Sequence, residues 1–349
     1  MTLSAGDASS LEAPFLEREV KDVIFGMDKN KAPGSDGFSL AFFQACWDVL
    51  KDDIMAVFSY FHVCGKFEKS FNSTFISLIH KVSGASKLKD FHPISLVSGI
   101  YKIISKVLAN RLRLVMDSII SIPHNAFVKG KQILDSVLIA NESMDFHLKF
   151  GEPRLLCKLD MEKAYDHVNW DFLLYLLRTC GFGQKWCSWI AFCVCSASFS
   201  VLINGSPTGF FNSSRGVRQG DPLSLFPFVI VMKAFSRMVK ASIDHSLFLG
   251  FTVGARWSEQ VHISHLVFAD DTLIFCEAFL DQVQAIGDLL VCFELVSGLK
   301  VNLAKSVIVP VGDVNNIGAL AKDLGCEVGF LPIPYLGLPL GSQFKDKAS

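Results

Sequence analysis

The sequence predicts an α+β fold in which an antiparallel sheet carries helices on one of its faces. Residues 155–161 alternate with a period of two, which is typical of a strand. Asn204-Gly205 separates two short apolar runs and is a strong signal for a β-hairpin. Two further apolar runs, 263–269 and 272–276, flank Asp270-Asp271 and indicate a second hairpin with acids at its tip.

Helical patterns and one further strand account for most of the remaining elements. Residues 16–27 place apolar side chains at helical spacing, and a loop rich in helix-breaking residues follows at 29–37. Residues 75–81 have the brevity and side-chain branching of a strand. The other predictions are helices over 39–64, 171–180 and 222–240, and a proline-led turn at 93 that continues as a basic amphipathic helix to 116.

The composition is that of a globular protein. Half of the 349 residues are hydrophobic and 19% are charged, which excludes a disordered chain. The longest apolar stretch, 222–232, is too short to span a bilayer, and the N-terminus lacks the pattern of a secretory signal. We therefore expect an intracellular protein with no membrane partner. The ten cysteines show no zinc-site spacing, so we expect them to be buried free thiols.

The charge distribution is uneven although the formal net charge is only −1. Between residues 81 and 131 nine cations stand against two acids, a local excess of seven positive charges. Such an excess suits a phosphate-binding surface, and a solvated helical face is the alternative interpretation. The cations are Lys81, Lys87, Lys89, Lys102, Lys106, Arg111, Arg113, Lys129 and Lys131.

Three carboxylates follow apolar strands. Asp160 lies at the end of the first strand, and Asp270 and Asp271 lie at the tip of the second hairpin. Neighbouring carboxylates repel each other, and Mg²⁺ binds a few carboxylates together with substrate phosphates. Two such ions, about 3.5–4 Å apart, clamp the attacking and leaving oxygens of a phosphoryl transfer. Two acids in a hairpin turn are also ordinary turn residues, so the acids alone leave both interpretations open.

Seven motifs extend the pattern around these acids. They are KAPGSDGF (31–38), DFHPISL (90–96), KLDMEKAYD (158–166), RGVRQGDPLS (215–224), FADD (268–271), SGLKVN (297–302) with Lys305, and YLGLPLG (335–341). In these motifs and their order, the chain resembles the reverse transcriptases of non-LTR retrotransposons of the long interspersed element type.

The resemblance implies a right-hand polymerase whose palm has a ferredoxin-like core. It implies a flexible N-terminus at 1–14, fingers with an N-terminal extension at 15–150, and a palm at 151–349 that ends in a primer-grip hairpin. The chain is expected to lack the thumb that such enzymes carry.

The resemblance also assigns the catalytic centre. Asp160 would bridge two Mg²⁺ ions, with Mn²⁺ as a substitute, Asp270 would be the second ligand, and Asp271 its weaker neighbour. The carbonyl of Met161 would complete a coordination shell. Lys305 is similar to the lysine proposed to protonate the leaving pyrophosphate, although a solvated surface lysine is an open alternative.

Further residues are assigned to the substrates. Tyr165 falls where the family places a steric gate against a 2′-hydroxyl, whereas without the motif a core tyrosine is the better interpretation. Arg218, Gln219 and Gly220 resemble the loop beneath the incoming nucleotide, where a glycine permits close backbone approach and side chains donate to sugar and phosphate. Lys81 and Lys89 are also assigned to nucleotide binding, and the primer grip comprises Tyr335, Leu336 and Gly337.

The implied function is RNA-directed DNA polymerisation, in which a primer 3′-hydroxyl attacks a dNTP. The implied partners are an RNA template and a DNA primer, with no obligate protein partner evident, and a nuclear location follows from the family only. One alternative is a folded remnant that binds nucleic acid without catalysis. Another is an RNA-dependent RNA polymerase or a maturase-like protein. Tyr165 and the Phe268-Ala269 pair argue against the RNA polymerase, and the KAPG (31–34) and YLGLP (335–339) motifs favour the long interspersed element branch over maturases.

Four positions depart from the family pattern: His92 and His167 stand in place of arginines, Leu225 in place of a proline and Lys233 in place of a glutamate. Each change is reachable by a single G-to-A or C-to-T transition. We therefore hypothesise a decaying copy of an element. Close sister copies that carry the same residues under selection would contradict this hypothesis.

Overall fold

The structure is a computed structural model that describes residues 2–119, 133–254, 260–269 and 271–341. The chain is divided into two compact units. Unit 1 takes in Met1–Ile119 and Tyr165–Ile230, and unit 2 takes in Ile120–Ala164 and Val231–Ser349. Each unit therefore combines two separate stretches of sequence, and the assignment of fingers to 15–150 and palm to 151–349 stays a prediction.

The described residues form both helices and strands, as the predicted α+β class requires. The helices are α1 (Ala5–Leu11), α2 (Glu17–Gly26), α3 (Leu40–Ala45), α4 (Trp47–Cys64), α5 (Gly99–Ile119), α6 (Ile133–Phe150), α7 (Ala164–His167), α8 (Trp170–Thr179), α9 (Gln184–Cys195), α10 (Leu225–Asp244), α11 (Leu280–Ser297) and α12 (Ile317–Leu324).

The strands fall into several groups along the chain, and the first of them comes after α4. They are β1 (Ser73–His80), β2 (Phe91–Val97), β3 (Arg154–Glu162), β4 (Ser198–Ile203), β5 (Ser206–Pro207), β6 (Phe211–Asn212), β7 (Phe251–Val253), β8 (Val261–Ile263), β9 (His265–Phe268), β10 (Asp271–Glu277), β11 (Lys300–Val301), β12 (Val307–Val311), β13 (Glu327–Val328), β14 (Ile333–Tyr335) and β15 (Leu338–Leu340).

Unit 1 contains a five-stranded sheet with the order β2-β1-β4-β5, and β6 pairs with β4. The prediction of a proline-led turn at 93 is wrong, because Pro93 lies inside β2 opposite Leu78. A proline lacks the N–H that an interior strand needs, and β2 is at the edge of the sheet, where the loss is tolerated. The predicted hairpin is confirmed, since Asn204 and Gly205 have φ of +52° and +82° between β4 and β5.

Aromatic rings make up much of the unit 1 core. The Phe15 ring lies 5.0 Å from the Phe58 ring and 5.3 Å from the Trp189 ring, and Phe61 lies 5.3 Å from Trp189. These contacts join the N-terminal segment, α4 and α9. These aromatic side chains therefore form part of a packed core in unit 1. Among the helices in the described ranges, none is long and apolar enough to cross a membrane.

Unit 2 is built on a six-stranded sheet with the order β13-β12-β3-β10-β9, and β11 pairs with the end of β3. The predicted strand at 155–161 and the predicted hairpin at 263–276 are confirmed as β3 and as β9 with β10. One core packs against this sheet, and it includes Leu156, Phe251, Phe275, Val309 and Tyr335.

The cysteines are only partly buried, in contrast to the expectation from the sequence. Five of them lie in the core, whereas Cys64, Cys195 and Cys292 are exposed. All ten are free thiols.

The N-terminal segment is held in place by Arg111, which is 8% exposed. The guanidinium donates to the carbonyls of Leu11, Ala13 and Pro14 at 2.9, 2.7 and 3.2 Å, and it pairs with both carboxylate oxygens of Glu19. From the sequence, this arginine was expected to lie on a phosphate-binding surface or on a solvated helical face, and residues 1–14 were expected to be flexible. The structure instead has helix α1 there and uses Arg111 inside unit 1.

Replacing Arg111 should therefore destabilise unit 1. We expect Arg111→Met to lower the free energy of unfolding by about 3 kcal/mol, because the Glu19 carboxylate and three carbonyls lose their donor. Urea denaturation measures the loss, and proteolysis within residues 2–14 should accelerate. Arg113→Met is the control, because Arg113 is exposed on the same helix. Equal stability of the two variants would show that Arg111 does not anchor the segment.

Candidate active site

The strand that ends near Asp160 lies beside the hairpin that carries Asp271. In the antiparallel pairing of β3 with β10, these two residues are directly opposite each other. The N–H of Asp160 donates to Ser306 Oγ at 3.1 Å, and its carbonyl accepts from the N–H of Asn302 at 2.8 Å. Both groups point away from β10, so Asp160 and Asp271 form a pair of the type without mutual hydrogen bonds. The Cα atoms of such pairs are only about 4.5 Å apart.

Two carboxylates thus share one face of the sheet at close range. Like charges placed directly opposite across strands are destabilising. Lys305 offsets little of this repulsion between the carboxylates, since its Nζ lies 3.9 Å from Asp160 Oδ2 and its side chain is 71% exposed. An oxygen-only donor set of this kind fits a hard divalent cation.

The other predicted metal ligands are placed as follows. Met161 is buried next to Asp160, and by strand alternation its carbonyl points to the β10 side, where the ladder ends at Asp271. Asp270 lies outside the described residues. In the part of the chain that the structure describes, no three His, Cys, Asp or Glu side chains cluster to bind a metal.

The predicted primer-grip residues form a tight hairpin in the same unit. Leu336 and Gly337 have φ of +52° and +80°, as a two-residue turn between β14 and β15 requires. Tyr335 is buried, and burial raises the pKa of its hydroxyl; the charge of Asp271 adds to this rise. Lys158 Nζ donates to the carbonyl of Pro334 at 2.7 Å, which ties the hairpin to β3.

Arg218 requires a correction. The sequence assigned its guanidinium to the sugar or phosphate of a nucleotide, but the side chain is 5% exposed and lies inside unit 1. It donates to Asn72 Oδ1, to Thr74 Oγ1 at 3.2 Å and to the carbonyl of Cys193 at 3.3 Å. The guanidinium therefore donates its hydrogen bonds to groups of the protein. We infer that Arg218 stabilises the loop that follows it.

A buried network completes the environment of this arginine. Arg218 pairs with Asp221 Oδ2 at 2.9 Å, and Tyr101 donates its hydroxyl to the same oxygen at 2.8 Å. The guanidinium also stacks 4.0 Å from the centre of the Tyr101 ring. Burial raises the pKa of Tyr101, the charge of Arg218 opposes the rise, and the charge of Asp221 adds to it. Sequence reasoning missed both Tyr101 and Asp221. Tyr101 lies 120 positions from Asp221 in the sequence, and Arg218, the partner of Asp221, was assigned to the substrate.

Gln219 and Gly220, which directly follow the buried Arg218, are exposed. The carbonyl of Gln219 accepts from the N–H of Ser95 at 3.1 Å, which joins the loop to β2. Gly220 has φ of +99°, and a Cβ there would lie 3.3 Å from the Ser95 carbonyl oxygen. Both the conformation and the space favour glycine. Gln219, Arg215 and Asp166 help to line a cleft of about 280 Å³ within unit 1.

Tyr165 lies beside this loop region. Its carbonyl accepts from the N–H of Val217 at 2.7 Å, and its half-buried ring stacks on Phe228 with the ring centres 5.2 Å apart.

Lys81 and Lys89 lie together at the far end of the β1–β2 pair, where Lys81 Nζ donates to the Lys89 carbonyl at 3.1 Å. Neither lysine is among the described residues that line the cleft.

Removing Asp221 should destabilise unit 1 strongly. We expect Asp221→Ala to cost about 3–5 kcal/mol in unfolding free energy, because it leaves the Arg218 charge buried without its carboxylate. Tyr101→Phe removes one neutral-to-charged hydrogen bond and should cost about 1.5–3 kcal/mol. Urea denaturation measures both, with Asp52→Ala on the exposed face of α4 as the control. A cost for Asp221→Ala that is no larger than that of the control would contradict the network.

Comparison with known proteins adds the family. The sequence profile of the family described as "Reverse transcriptase (RNA-dependent DNA polymerase)" matches residues 79–340. The chain is 27% identical over 335 residues to the transposon TX1 uncharacterized 149 kDa protein of Xenopus laevis, covering 95% of this chain and 25% of that protein. It is 25% identical over 272 residues to the retrovirus-related Pol polyprotein from type-1 retrotransposable element R2 of Nasonia vitripennis, covering 78% and 25%.

The chain therefore spans about a quarter of the length of these two relatives. Among solved structures, it is similar to telomerase from Candida tropicalis in complex with a fragment of telomeric RNA, with a TM-score of 0.49 and 13% identity over 76% of this chain and 45% of that one. The family match spans most of the sequence and the two curated relatives are retrotransposon proteins, which confirms the resemblance drawn from the motifs: the chain belongs to the reverse transcriptase (RNA-dependent DNA polymerase) family.

Proposed function

We propose that this chain catalyses RNA-templated DNA synthesis, in which the 3′-hydroxyl of a DNA primer attacks the α-phosphate of a dNTP and pyrophosphate leaves. The observation that carries the proposal is the close pairing of Asp160 with Asp271 on one face of the unit 2 sheet. A repulsive pair of this kind gains from a divalent cation, and the family to which the chain belongs generally uses divalent metal ions.

The residues that would hold the metal are Asp160 and Asp271, with the Met161 carbonyl and, from the sequence, Asp270. Two Mg²⁺ ions, or Mn²⁺ in their place, would activate the primer hydroxyl and neutralise charge on the phosphates. The chain supplies the orientation, since β3 and β10 fix both carboxylates through a hydrogen-bonded ladder.

Lys305 is proposed as the donor to the leaving pyrophosphate. Its ammonium lies 3.9 Å from Asp160 Oδ2, and its high exposure leaves the side chain room to reorient toward a phosphate. Proton donation by a lysine needs the group within hydrogen-bond reach of the leaving oxygen. The proximity of the Lys305 ammonium to Asp160 supports this role.

The remaining residues are proposed to hold the substrates. Tyr165 would exclude a 2′-hydroxyl with a ring whose position is fixed by stacking on Phe228. Gln219 and Gly220 would lie beneath the incoming nucleotide, supported from below by Arg218. The β14–β15 hairpin would hold the primer end. The RNA template, the DNA primer and the dNTP are therefore the partners that we propose.

Primer extension on an RNA template with Mg²⁺ tests this function. We expect Asp271→Asn to lower kcat at least about 100-fold, because a metal ligand is weakened. Asp313→Asn, which changes an exposed aspartate of the same unit, should retain activity. Incorporation of rNTP in preference to dNTP would favour an RNA polymerase instead. No incorporation by the unsubstituted chain would favour a folded remnant.

Stability measurements provide a second readout of the same pair. Without divalent cations, Asp271→Asn should raise the unfolding free energy by up to about 1 kcal/mol, because cross-strand repulsion is removed. Added Mg²⁺ should stabilise the unsubstituted chain more than the variant, since only a ligand that binds the folded state stabilises it. An equal response of both proteins to Mg²⁺ would contradict a metal site at Asp271.

A further inference from the structure

The strand pairing on one side of β3 is interrupted directly beside Asp160. On that side of β3, β11 pairs with Glu162 and Met161, and the ladder resumes with β12 at Lys158. The residues between β11 and β12, 302–306, leave the extended conformation and form a turn. The backbone of Asp160 therefore faces a turn where a regular sheet would supply another strand.

Ser306 and Asn302 supply the hydrogen bonds that this missing strand would have made. The Ser306 hydroxyl accepts from the N–H of Asp160 at 3.1 Å and donates to the carbonyl of Asn302 at 2.9 Å. The N–H of Asn302 donates to the carbonyl of Asp160 at 2.8 Å. The peptide groups on both sides of the Asp160 Cα are thus fixed by one turn.

The turn is itself well defined. The carbonyl of Asn302 also accepts from the N–H groups of Lys305 and Ser306 at 3.0 and 2.9 Å. Ser306 is fully buried, so water does not compete for its hydroxyl. The same turn brings the Lys305 ammonium to 3.9 Å from the Asp160 carboxylate.

We propose that Ser306 is a positioning residue for the Asp160 carboxylate, which rests on the proposed function of Asp160 as a metal ligand. The direction of the Cα–Cβ bond follows from the orientation of the two flanking peptide groups. Two carboxylates that share a cation must be held to within about 0.5 Å of the productive geometry. The Ser306 hydroxyl fixes one of those peptide groups by accepting a hydrogen bond from the N–H of Asp160, at a position where no neighbouring strand supplies an acceptor.

The test compares Ser306→Ala with Ser297→Ala. Ser297 is a matched control in the same unit, because it is also fully buried, donates to the carbonyl of Phe293 at 2.6 Å and accepts from the N–H of Leu299 at 3.1 Å. Both variants should lose similar thermal stability. Only Ser306→Ala should weaken Mn²⁺ binding, followed by electron paramagnetic resonance of the free ion, by about tenfold.

Kinetics should separate the two serines in the same way. We expect kcat for primer extension to fall about tenfold in Ser306→Ala at saturating dNTP, with KM for dNTP within about twofold of the unsubstituted chain. Ser297→Ala should leave both constants within about twofold. If Ser306→Ala does not fold, Ser306→Cys keeps the side-chain volume with a weaker acceptor and allows the same comparison.

The outcomes separate this inference from the proposed function. Mn²⁺ affinity of Ser306→Ala, or of Ser306→Cys, equal to that of Ser297→Ala would overturn the positioning role while leaving the function intact. A metal site at Asp160 itself would be refuted if the unsubstituted chain and Asp271→Asn bound Mn²⁺ equally weakly. A selective loss in the Ser306 variants would establish the positioning role.

Discussion

The proposed chemistry depends on one unfavourable contact, the placement of Asp160 opposite Asp271 on a single face of the unit 2 sheet. The strands hold this contact through the register in which their interior residues pair. Leu156 and Phe275 are buried neighbours in the ladder, and a slip of one residue would turn every side chain to the opposite face. The hydrophobic core thus determines the distance between two charged groups at the end of the strands.

In unit 1, two buried arginines fix the positions of neighbouring segments. Arg111 stacks 4.2 Å from the Phe15 ring and Arg218 stacks 4.0 Å from the Tyr101 ring, and each also donates to main-chain carbonyls and to a carboxylate. A planar guanidinium with five donors can join several segments at one point. Arg111 anchors the N-terminal segment in this way, and Arg218 supports the loop that presents Gln219.

Several features of the fold could be predicted from sequence because they depend on neighbouring residues. The turn at Asn204-Gly205 follows from residues that tolerate positive φ, and β3 follows from its alternation. The α+β class agrees with the structure, and the right-hand polymerase fold that the resemblance implied accords with the family. The motifs also identified Asp160 and Asp271 as candidates, although their pairing became visible only in the ladder.

Other features could not be predicted, for physical reasons. A guanidinium has the same donors whether it faces a substrate or the interior, so the motif around Arg218 did not reveal its burial. Pro93 indicated a turn because its tolerance in a strand depends on that strand lying at an edge. Ser306 acts on a backbone group 146 positions away in sequence, and that relation arises only when β3 and β12 pair.

The most direct test of the central claim is a crystal structure of this chain grown with Mn²⁺, in which anomalous scattering locates the metal. We expect a peak coordinated by carboxylate oxygens of both Asp160 and Asp271, since oxygen ligands suit Mn²⁺. A peak bound by only one of these carboxylates, or at a site that includes neither, would contradict the account.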